Sequence, residues 1–479
     1  MLPNILVIIT DDQRFDTIGA LGNHHIYTPN LDRLVQRGFA FRRHLCTTPI
    51  CTPARAEILT GCDSFGNGVP WFGMPINKKL TLLPQAFASV GYHTIHVGKW
   101  HNDGHPGKGK GYAQTHCVFP SDNLNNYAIH GHTMRFHEDD REMEGHATEL
   151  FTDTAIDAIR QAPTGKPWFC YLGYSAPHDP HHCPPPFKNW YDPETMPLFP
   201  NFMPEHPFDN GDMVIRDEQL ENWPRTQESM RRYRANYYNC ITHLDANLGR
   251  LFDQLELDGA LENTLILFTG DQGLAVGSHG LLGKENMYNH SVSSPLILAG
   301  PGVPAGGCSS ALSHQVDLFP TLCDLAGVPC PSSVQDGLSL LPVIRNECHR
   351  VREAVLCQFY SPEEPKQVLR HTQRAIITER WKLTWYPQIR HFQLFDLEND
   401  PNELVDLLAD WRVRRRQTVD AGKPHWQKDG WAALDTGPVY SQSEIVIIAN
   451  DLWSKMLNLM DRQQDPLPAD LRPPAPYAK

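Results

Sequence analysis

The chain has 479 residues and a formal net charge of −13, from 42 Lys and Arg against 55 Asp and Glu. An acidic protein without a long basic run is poorly suited to bind nucleic acid or an anionic membrane, so we expect neither as a partner. A hydrophobic content of 41% with 20% charged residues is typical of a folded globular chain and excludes a largely disordered one. The length predicts two or three domains, or one large domain with a small one.

Near the start of the chain, a short apolar run occupies residues 5–9. It is too short to span a bilayer, and no basic segment with a cleavage site precedes it. We therefore expect a cytoplasmic protein for the sequence as written, or an exported one if a leader was removed. The twelve cysteines lack the spacing of a metal site, and we expect them to be mostly reduced, buried thiols.

Apolar, β-branched runs recur along the chain, and each ends in a cluster of polar or turn residues. Continuous runs of this kind are typical of strands buried on both faces, as in a parallel sheet. Helical patterns alternate with them, which predicts an α/β fold with a large, mostly parallel sheet flanked by helices. The apolar runs lie at residues 5–9, 92–97, 168–172, 265–268 and 296–298, and the helical patterns at 31–36, 147–161 and 230–257. Because ligands bind beyond the carboxyl ends of such strands, we expect the polar clusters to converge on one site.

The composition changes at about residue 350, which predicts a large α/β domain at 1–349 and a smaller α+β domain at 350–479. Within 179–225, Pro, Asn and aromatic residues without periodicity indicate a loop insertion at the rim of the site. The second domain is predicted to contain antiparallel strands, a short helix and a Pro-rich tail. These elements are expected at residues 375–378, 381–385 and 392–395 for the strands, 403–408 for the helix and 465–479 for the tail.

Two pairs of polar residues follow predicted strands directly. Asp11 and Asp12 come after the first run, and Asp271 and Gln272 come after the fourth. Adjacent carboxylates repel each other, so they need a cation or strong donors nearby. Three carboxylates and an amide form an all-oxygen set suited to Ca²⁺ or Mg²⁺. The alternative is that one pair caps a helix or loop and the other is a polar turn.

The stretch C-T-P-A-R at residues 51–55 opens a predicted helix. Pro53 suits the first turn of a helix and Gly61 suits its end, which places Cys51 at the N-terminus. Free N–H groups and the helix dipole favour an anion there. Arg55 lies about one turn further on and could face the same side. The sequence therefore allows an anion site, although a buried structural cysteine before an ordinary helix fits the spacing as well.

This stretch, continued by L-T-G at residues 59–61, resembles the signature of type I sulfatases in the alkaline phosphatase superfamily. The resemblance implies that a formylglycine-generating enzyme oxidises Cys51 to formylglycine, whose hydrate is a geminal diol that acts as the nucleophile. It also implies an alkaline-phosphatase-like fold. Further matches occur in family order at residues 11–12, 98–101, 177–178, 270–273 and 394–403.

The resemblance implies a role for each matching residue. A divalent ion, Ca²⁺ rather than Mg²⁺, would be bound by Asp11, Asp12, Asp271 and Gln272, with an oxygen from modified Cys51. Gln272 stands where many relatives have Asn or His; it keeps an amide oxygen on a longer stem. The remaining roles are that Arg55 holds the nucleophile, Lys99 and Lys284 bind sulfate oxygens, His101 assists the modified residue, and His178 protonates the leaving oxygen.

The implied activity is hydrolysis of a sulfate monoester, and we expect a sulfated carbohydrate as the substrate. Asn286 and His290 are further candidates for substrate contact, and Trp71 and Phe72 could stack on a sugar. One alternative keeps the fold but hydrolyses phosphate or phosphonate esters. Another is a catalytically silent protein that binds sulfated glycans while Cys51 remains a thiol.

Overall fold

The computed structural model describes residues 2–107, 109–118, 132–136, 139–360, 372–409 and 440–473. Three sheets are found in these ranges. Their strands are β1 (Asn4–Thr10), β2 (Gly38–Leu45), β3 (His93–Gly98), β4 (Gln114–His116), β5 (His132–Phe136), β6 (Asp139–Met143), β7 (Trp168–Gly173), β8 (Thr264–Gly270), β9 (Ser293–Ala299), β10 (Gly307–His314), β11 (Ala354–Phe359), β12 (Gln373–Thr378), β13 (Trp381–Tyr386) and β14 (His391–Asp396).

The helices include those predicted at 31–36, 147–161 and 230–257, with ends that differ by a few residues, and the one predicted to open at residues 51–55. Within the described ranges, no helix combines the length and the apolar character needed to cross a membrane. The helices are α1 (Pro29–Arg37), α2 (Cys51–Thr60), α3 (Ser64–Asn67), α4 (Leu83–Ser89), α5 (Ala147–Arg160), α6 (Gln227–Leu257), α7 (Asn289–Val292), α8 (Leu318–Ala326), α9 (Leu341–Ile344) and α10 (Gln442–Arg462).

The central sheet has eight strands in the order β10-β2-β9-β8-β1-β7-β3-β4. It is mostly parallel, as predicted, but β9 is antiparallel to both β2 and β8. The run at 296–298 therefore ends at the opposite edge of the sheet from the other runs. The expectation that its glycine-rich end, at residues 300–302, would join the common site is wrong for this reason.

Alternation along the strands explains the layers of this domain. In β1, Ile5, Val7 and Ile9 pack in one apolar cluster with α2, α4 and α8, while Leu6 and Ile8 pack in another with α1, α5 and α6. All five side chains are fully buried. A strand with apolar residues on both faces is thus covered by helices on both sides, which leaves its carboxyl end as the open edge.

The C-terminal part contains the antiparallel sheet β11-β12-β13-β14, with α10 packed against it. The predicted helix at 403–408 is wrong, because residues 401–409 form turns and irregular backbone. Glu403 has a φ of 56°, outside the helical region, and its carboxylate bonds to Lys382 of β13. Residues 465–473 of the predicted tail fold back on this unit, and 474–479 lie outside the described residues. The boundary near 350 remains a proposal.

Candidate active site

Two neighbouring strands bring acidic side chains to one point. β1 and β8 are parallel, with Thr10 opposite Gly270, so Asp11 and Asp271 leave the sheet side by side. The N–H of Asp271 donates to the Thr10 carbonyl at 3.0 Å, and that of Asp12 donates to Asp271 Oδ1 at 3.1 Å. Carboxylate oxygens of Asp11, Asp12 and Asp271 all lie within 4.8 Å of one another. We call these three side chains the carboxylate cluster.

The C-T-P-A-R stretch begins a helix as predicted. Helix α2 starts at Cys51, and Gly61 follows its last turn with a φ of 65°. Every residue of α2 is buried, and Cys51 is 1% exposed. Its Sγ donates to Asp11 Oδ1 at 3.1 Å, and Gln272 Nε2 donates to the same sulfur at 3.1 Å. The thiol therefore lies in direct contact with the carboxylate cluster.

Arg55 ties α2 to the ends of three strands. Its Nε donates to Asp271 Oδ2 at 2.9 Å, after β8. Its other two nitrogens donate to the carbonyls of Lys99, after β3, at 3.3 Å and of Tyr174, after β7, at 3.5 Å. Arg55 is fully buried, so its charge also offsets that of the carboxylate it contacts.

Two buried lysines contact the other carboxylates. Lys99 Nζ pairs with Asp11, and Lys284 Nζ lies 2.7 Å from Asp12 Oδ2. The side chains of the two lysines are only 4% and 5% exposed. Together with Arg55 they place three cations against three carboxylates, so the formal charges of this group sum to zero. A bound divalent cation would give the site a positive surplus suited to an anionic substrate.

Of the three histidines at 178–182, the one that faces the carboxylate cluster is His178. Its Nε2 lies 3.5 Å from Asp12 Oδ2, and its Nδ1 lies 3.3 Å from Asp179 Oδ1. His181 instead packs edge-on against aromatic rings of α6, and His182 is exposed. His178 is therefore the histidine of this group that lies near the cluster, and its role as proton donor stays a prediction.

His101 lies at the mouth of the site. Burial, and then the charge of Lys99, lower the pKa of its imidazole well below the ordinary value. Its Nδ1 has no hydrogen-bond partner among the described residues. The Phe72 ring lies 5.8 Å from the imidazole and is 38% exposed, whereas Trp71 packs against Phe359 of β11. Of the aromatic pair, Phe72 is thus the ring open to a ligand.

The described contacts of Asn286 and His290 lie within the fold rather than against the carboxylate cluster. Asn286 Nδ2 donates to the Gly283 carbonyl at 3.4 Å. His290 stacks on Tyr288, with ring centres 5.5 Å apart, and is 2% exposed. A direct contact of either residue with the substrate therefore remains a prediction.

Sequence analysis missed three charged residues that reach the site from the loop insertion at 179–225. Arg216 donates to Asp179 and Asp217, and Asp217 Oδ2 lies 3.9 Å from Lys284 Nζ. The insertion shows no periodicity, so its sequence gave no indication of which charges turn inward. The one signal in the sequence that could have placed a charged residue of this insertion near the site was the position of Asp179 directly after His178.

Burial affects the ionisable groups of the site unequally. It raises the pKa of Asp271 to about 7, with a further contribution from the charge of Asp11. Burial acts on Asp11 as well, but the nearby cations, Lys99 foremost, outweigh it and hold that pKa well below the ordinary value. Burial and then Asp11 raise the pKa of the Cys51 thiol well above its ordinary value. An unmodified Cys51 is therefore a poor nucleophile here, since attack requires the thiolate.

The donor set fits a hard divalent cation. Gln272 Oε1 is buried without a hydrogen-bond partner in the described part of the chain, and it lies on the amide that contacts Asp12 and Cys51. A cation beside this amide would relieve the repulsion within the carboxylate cluster and could take Oε1 as a further ligand. His178 also belongs to two groups of possible ligands, one with Asp11 and Cys51 and one with Asp12 and Asp179. The all-oxygen group suits Ca²⁺ or Mg²⁺ better than these do.

The chain is similar to known sulfatases in sequence. Residues 3–328 match the family model described as Sulfatase, and residues 277–419 match the one described as N-sulphoglucosamine sulphohydrolase, C-terminal. An N-acetylglucosamine-6-O-sulfatase of Bacteroides thetaiotaomicron is 28% identical, over 87% of this chain and 84% of the relative. An arylsulfatase of Clostridium perfringens is also 28% identical, over 87% of this chain and 92% of the relative.

Solved structures show the same fold. One, in complex with its substrate D-glucosamine-2-N,6-O-disulfate, has a TM-score of 0.78 at 24% identity, over 98% of this chain and 99% of that chain. The phosphonate monoester hydrolase of Agrobacterium radiobacter has a TM-score of 0.69 at 24% identity, over 86% of this chain and 93% of that chain. Because the sulfatase model spans well over half of its residues, the chain belongs to the sulfatase family, within the alkaline phosphatase superfamily.

Proposed function

We propose that this sulfatase removes sulfate from a carbohydrate, with Cys51 oxidised to formylglycine and one Ca²⁺ at the carboxylate cluster. The observation that carries the proposal is the contact of Cys51, at the start of a buried helix, with both Asp11 and Gln272. The choice of a carbohydrate is supported by relatives named N-acetylglucosamine-6-O-sulfatase and N-acetylgalactosamine-6-sulfatase. The proposed ligands of the ion are Asp11, Asp12, Asp271, Gln272 and modified Cys51.

The buried cations would bind and orient the sulfate group. When present, Ca²⁺ supplies a fixed positive charge and hydrated formylglycine supplies a nucleophilic oxygen. Lys99 and Lys284 now contact Asp11 and Asp12, and they would be free to hold nonbridging sulfate oxygens once those carboxylates have another partner. Charge that develops on these oxygens during reaction would be stabilised by ammonium groups already in place.

The two histidines would move protons on opposite sides of the reacting group. His178 Nε2 faces the carboxylate cluster, where it would protonate the departing sugar oxygen. Such general acid catalysis typically contributes about 10²–10⁴-fold in rate. The largely buried imidazole of His101 is held neutral, so its nitrogen could accept a proton from the modified residue. Arg55 would keep α2 and Asp271 in register throughout.

A phosphate or phosphonate ester hydrolase is the second candidate, because the fold is shared with a phosphonate monoester hydrolase. Three cations balance three carboxylates, so a divalent ion would leave the group with two positive charges in excess. That excess can accept a sulfate, a phosphonate or a phosphate ester, and the charges alone do not separate the two candidates. The match of residues 3–328 to the sulfatase family model favours the sulfate ester.

The test uses protein produced together with a formylglycine-generating enzyme. Mass spectrometry of the peptide that contains Cys51 should show an aldehyde in place of the thiol. The modified protein should release sulfate from at least one sugar in a panel of defined sulfated saccharides, and release phosphate from the matched esters far more slowly. Faster release of phosphate than of sulfate would overturn the proposal that a sulfate ester is the substrate. Tight binding of sulfated sugars without turnover would support a catalytically silent glycan-binding protein instead.

A further inference from the structure

Arg216 joins two carboxylates that lie outside the carboxylate cluster. Its Nη1 donates to Asp179 Oδ1 at 2.8 Å and to Asp217 Oδ1 at 2.9 Å. Asp179 in turn lies 3.3 Å from His178 Nδ1, and Asp217 lies 3.9 Å from Lys284 Nζ. We call Arg216, Asp179 and Asp217 the rim clamp. Through it, one guanidinium from the loop insertion reaches both the proposed proton donor and a proposed sulfate-binding cation.

The exposure of these side chains argues against a role in stability alone. The Arg216 side chain is 52% exposed, while those of Asp179 and Asp217 are 7% and 12% exposed. Ion pairs with an exposed partner contribute about 0–1 kcal/mol to stability. The burial of the carboxylates shows that the clamp points inward, toward the site.

The clamp is anchored to the loop that carries Lys284. Glu218, the neighbour of Asp217, accepts hydrogen bonds from the N–H groups of Leu282 at 3.0 Å and Gly283 at 2.8 Å. A displacement of Asp217 would therefore be transmitted to the residue directly before Lys284. This coupling makes the insertion a part of the site rather than a cover over it.

We propose that the rim clamp positions His178 and Lys284 for the reaction, an inference that rests on the roles proposed for those two residues above. The Asp179 main-chain carbonyl lies 2.7 Å from His178 Nδ1, and the Asp179 carboxylate, which the guanidinium of the clamp holds in place, lies 3.3 Å from the same nitrogen. Both contacts engage Nδ1 and leave Nε2 facing the carboxylate cluster. Asp217 is a second, more distant carboxylate beside the Lys284 ammonium, with Oδ2 at 3.9 Å from Nζ, whereas Asp12 Oδ2 lies at 2.7 Å. We assign the clamp residues as positioning residues, because their described contacts reach the site through His178 and Lys284.

The two arms of the clamp can be separated by the choice of substrate. A sugar alkoxide is a poor leaving group and needs the proton from His178, whereas 4-nitrophenolate leaves without one. Asp179→Asn should therefore lower kcat by about 10–100-fold on the sulfated monosaccharide that the wild type hydrolyses fastest, and by less than about threefold on 4-nitrophenyl sulfate. Asp217→Asn should instead raise KM about tenfold on both substrates, because Lys284 binds the sulfate group that they share.

Arg216→Ala should combine the two effects, and Arg216→Lys should restore part of each. The matched control is Arg232→Ala: the Arg232 side chain is 53% exposed and pairs with Glu221 at 3.1 Å. This variant should keep wild-type kinetics on both substrates. Thermal unfolding and calcium content should stay at the wild-type level in all variants.

Equal losses on the two substrates in Asp179→Asn would overturn the positioning role of Asp179. Loss of calcium from that variant would also overturn it, because Asp179 would then be a metal ligand. An unchanged KM in Asp217→Asn would overturn the proposal that Asp217 positions Lys284. A wild-type protein with modified Cys51 that hydrolyses neither substrate would refute the proposed function itself, and the clamp's role with it.

Discussion

The active-site edge and the C-terminal sheet both bury charged side chains, but they pair them differently. In the C-terminal sheet, Lys382 Nζ donates to the Met287 carbonyl at 2.8 Å, to Asn289 Oδ1 at 2.7 Å and to Glu403 Oε1 at 2.5 Å. An ammonium group has three N–H donors, so each has an acceptor. This cluster joins β13 to the catalytic domain with its hydrogen bonds satisfied.

The carboxylate cluster lacks this completeness. Three carboxylates lie within 4.8 Å of one another, the pKa of Asp271 is raised by burial and by Asp11, and Gln272 Oε1 has no partner among the described residues. Burial of charge is therefore common to both regions and does not identify the site. The two regions differ in their hydrogen bonding. Around Lys382 each donor of the ammonium group has an acceptor, whereas Gln272 Oε1, beside the carboxylate cluster, is an acceptor without a donor in the described part of the chain, which a bound cation would satisfy.

The largest effect is expected from Cys51→Ala in protein produced together with a formylglycine-generating enzyme. Loss of the proposed nucleophile should lower kcat by about 10⁴-fold or more, because the nucleophilic oxygen that modified Cys51 would supply is then missing. The readout is sulfate release, with circular dichroism to show that the fold is retained. Cys62→Ala removes another buried thiol just after α2 and should remain active. A fully active Cys51→Ala protein would contradict the mechanism.

The next largest effect is expected from breaking a buried, hydrogen-bonded ion pair at the C-terminal sheet. The side chains of Arg374 and Asp465 are fully buried and form an ion pair, in which Arg374 Nη2 donates to Asp465 Oδ1 at 2.9 Å. Asp465→Ala leaves a buried guanidinium without its carboxylate and should cost about 3–5 kcal/mol of unfolding free energy. Asp461→Ala, which removes a 71% exposed partner of Arg472, should cost less than about 1 kcal/mol. Urea denaturation measures the loss of unfolding free energy in each variant. Similar losses in Asp465→Ala and Asp461→Ala would contradict the expected difference between buried and exposed ion pairs.

Calcium should stabilise the protein through the incomplete cluster. At a free Ca²⁺ concentration of 100 times Kd, the gain in unfolding free energy is about 2.7 kcal/mol. Thermal unfolding of chelator-treated protein, with and without added Ca²⁺ or Mg²⁺, measures this gain. Asp271→Asn should lose most of the response, while Asp461→Ala should keep it. An undiminished response in Asp271→Asn would place the ion elsewhere.

The smallest effect concerns a buried carboxyl that contacts only neutral groups among the described residues. Burial raises the pKa of Glu57 to about 8 from an ordinary value of 4.5, and its Oε2 accepts from the Thr47 N–H at 3.0 Å. Because the folded-state pKa is raised, its contribution to stability is greatest below pH 4.5 and is lost as the pH rises through about 8. Glu57→Gln should remove this dependence, so its stability relative to wild type should rise steadily from the acid to the alkaline end. Denaturation midpoints measured from pH 5 to pH 8 test it, and parallel curves for the two proteins would contradict it.

The strands that form the site were predictable because their signals are local. The run at residues 5–9 and the run at 265–268 each combine β-branched apolar residues with acidic residues at the end, and parallel pairing then brings those ends together. The helix start at Cys51 was predictable for the same reason, from Pro53 and Gly61. The family resemblance added the roles, which spacing alone left open.

Long-range features were not predictable in this way. Strand β2 contains Arg42, Arg43 and His44, so it shows no apolar run, and the reversed direction of β9 depends on its neighbours. At 403–408, where a helix was expected, Glu403 takes a positive φ and pairs with Lys382, a residue on another element. The rim clamp comes from a loop whose inward charges are fixed by contacts distant in sequence.

The depth at which α2 lies bears on how the proposed oxidation of Cys51 would take place. Cys51 is 1% exposed and every residue of α2 is buried. A maturation enzyme that oxidises this thiol would need to reach the C-T-P-A-R stretch before the surrounding residues pack around it. Folded protein with an unmodified Cys51 should then be a poor substrate for such an enzyme.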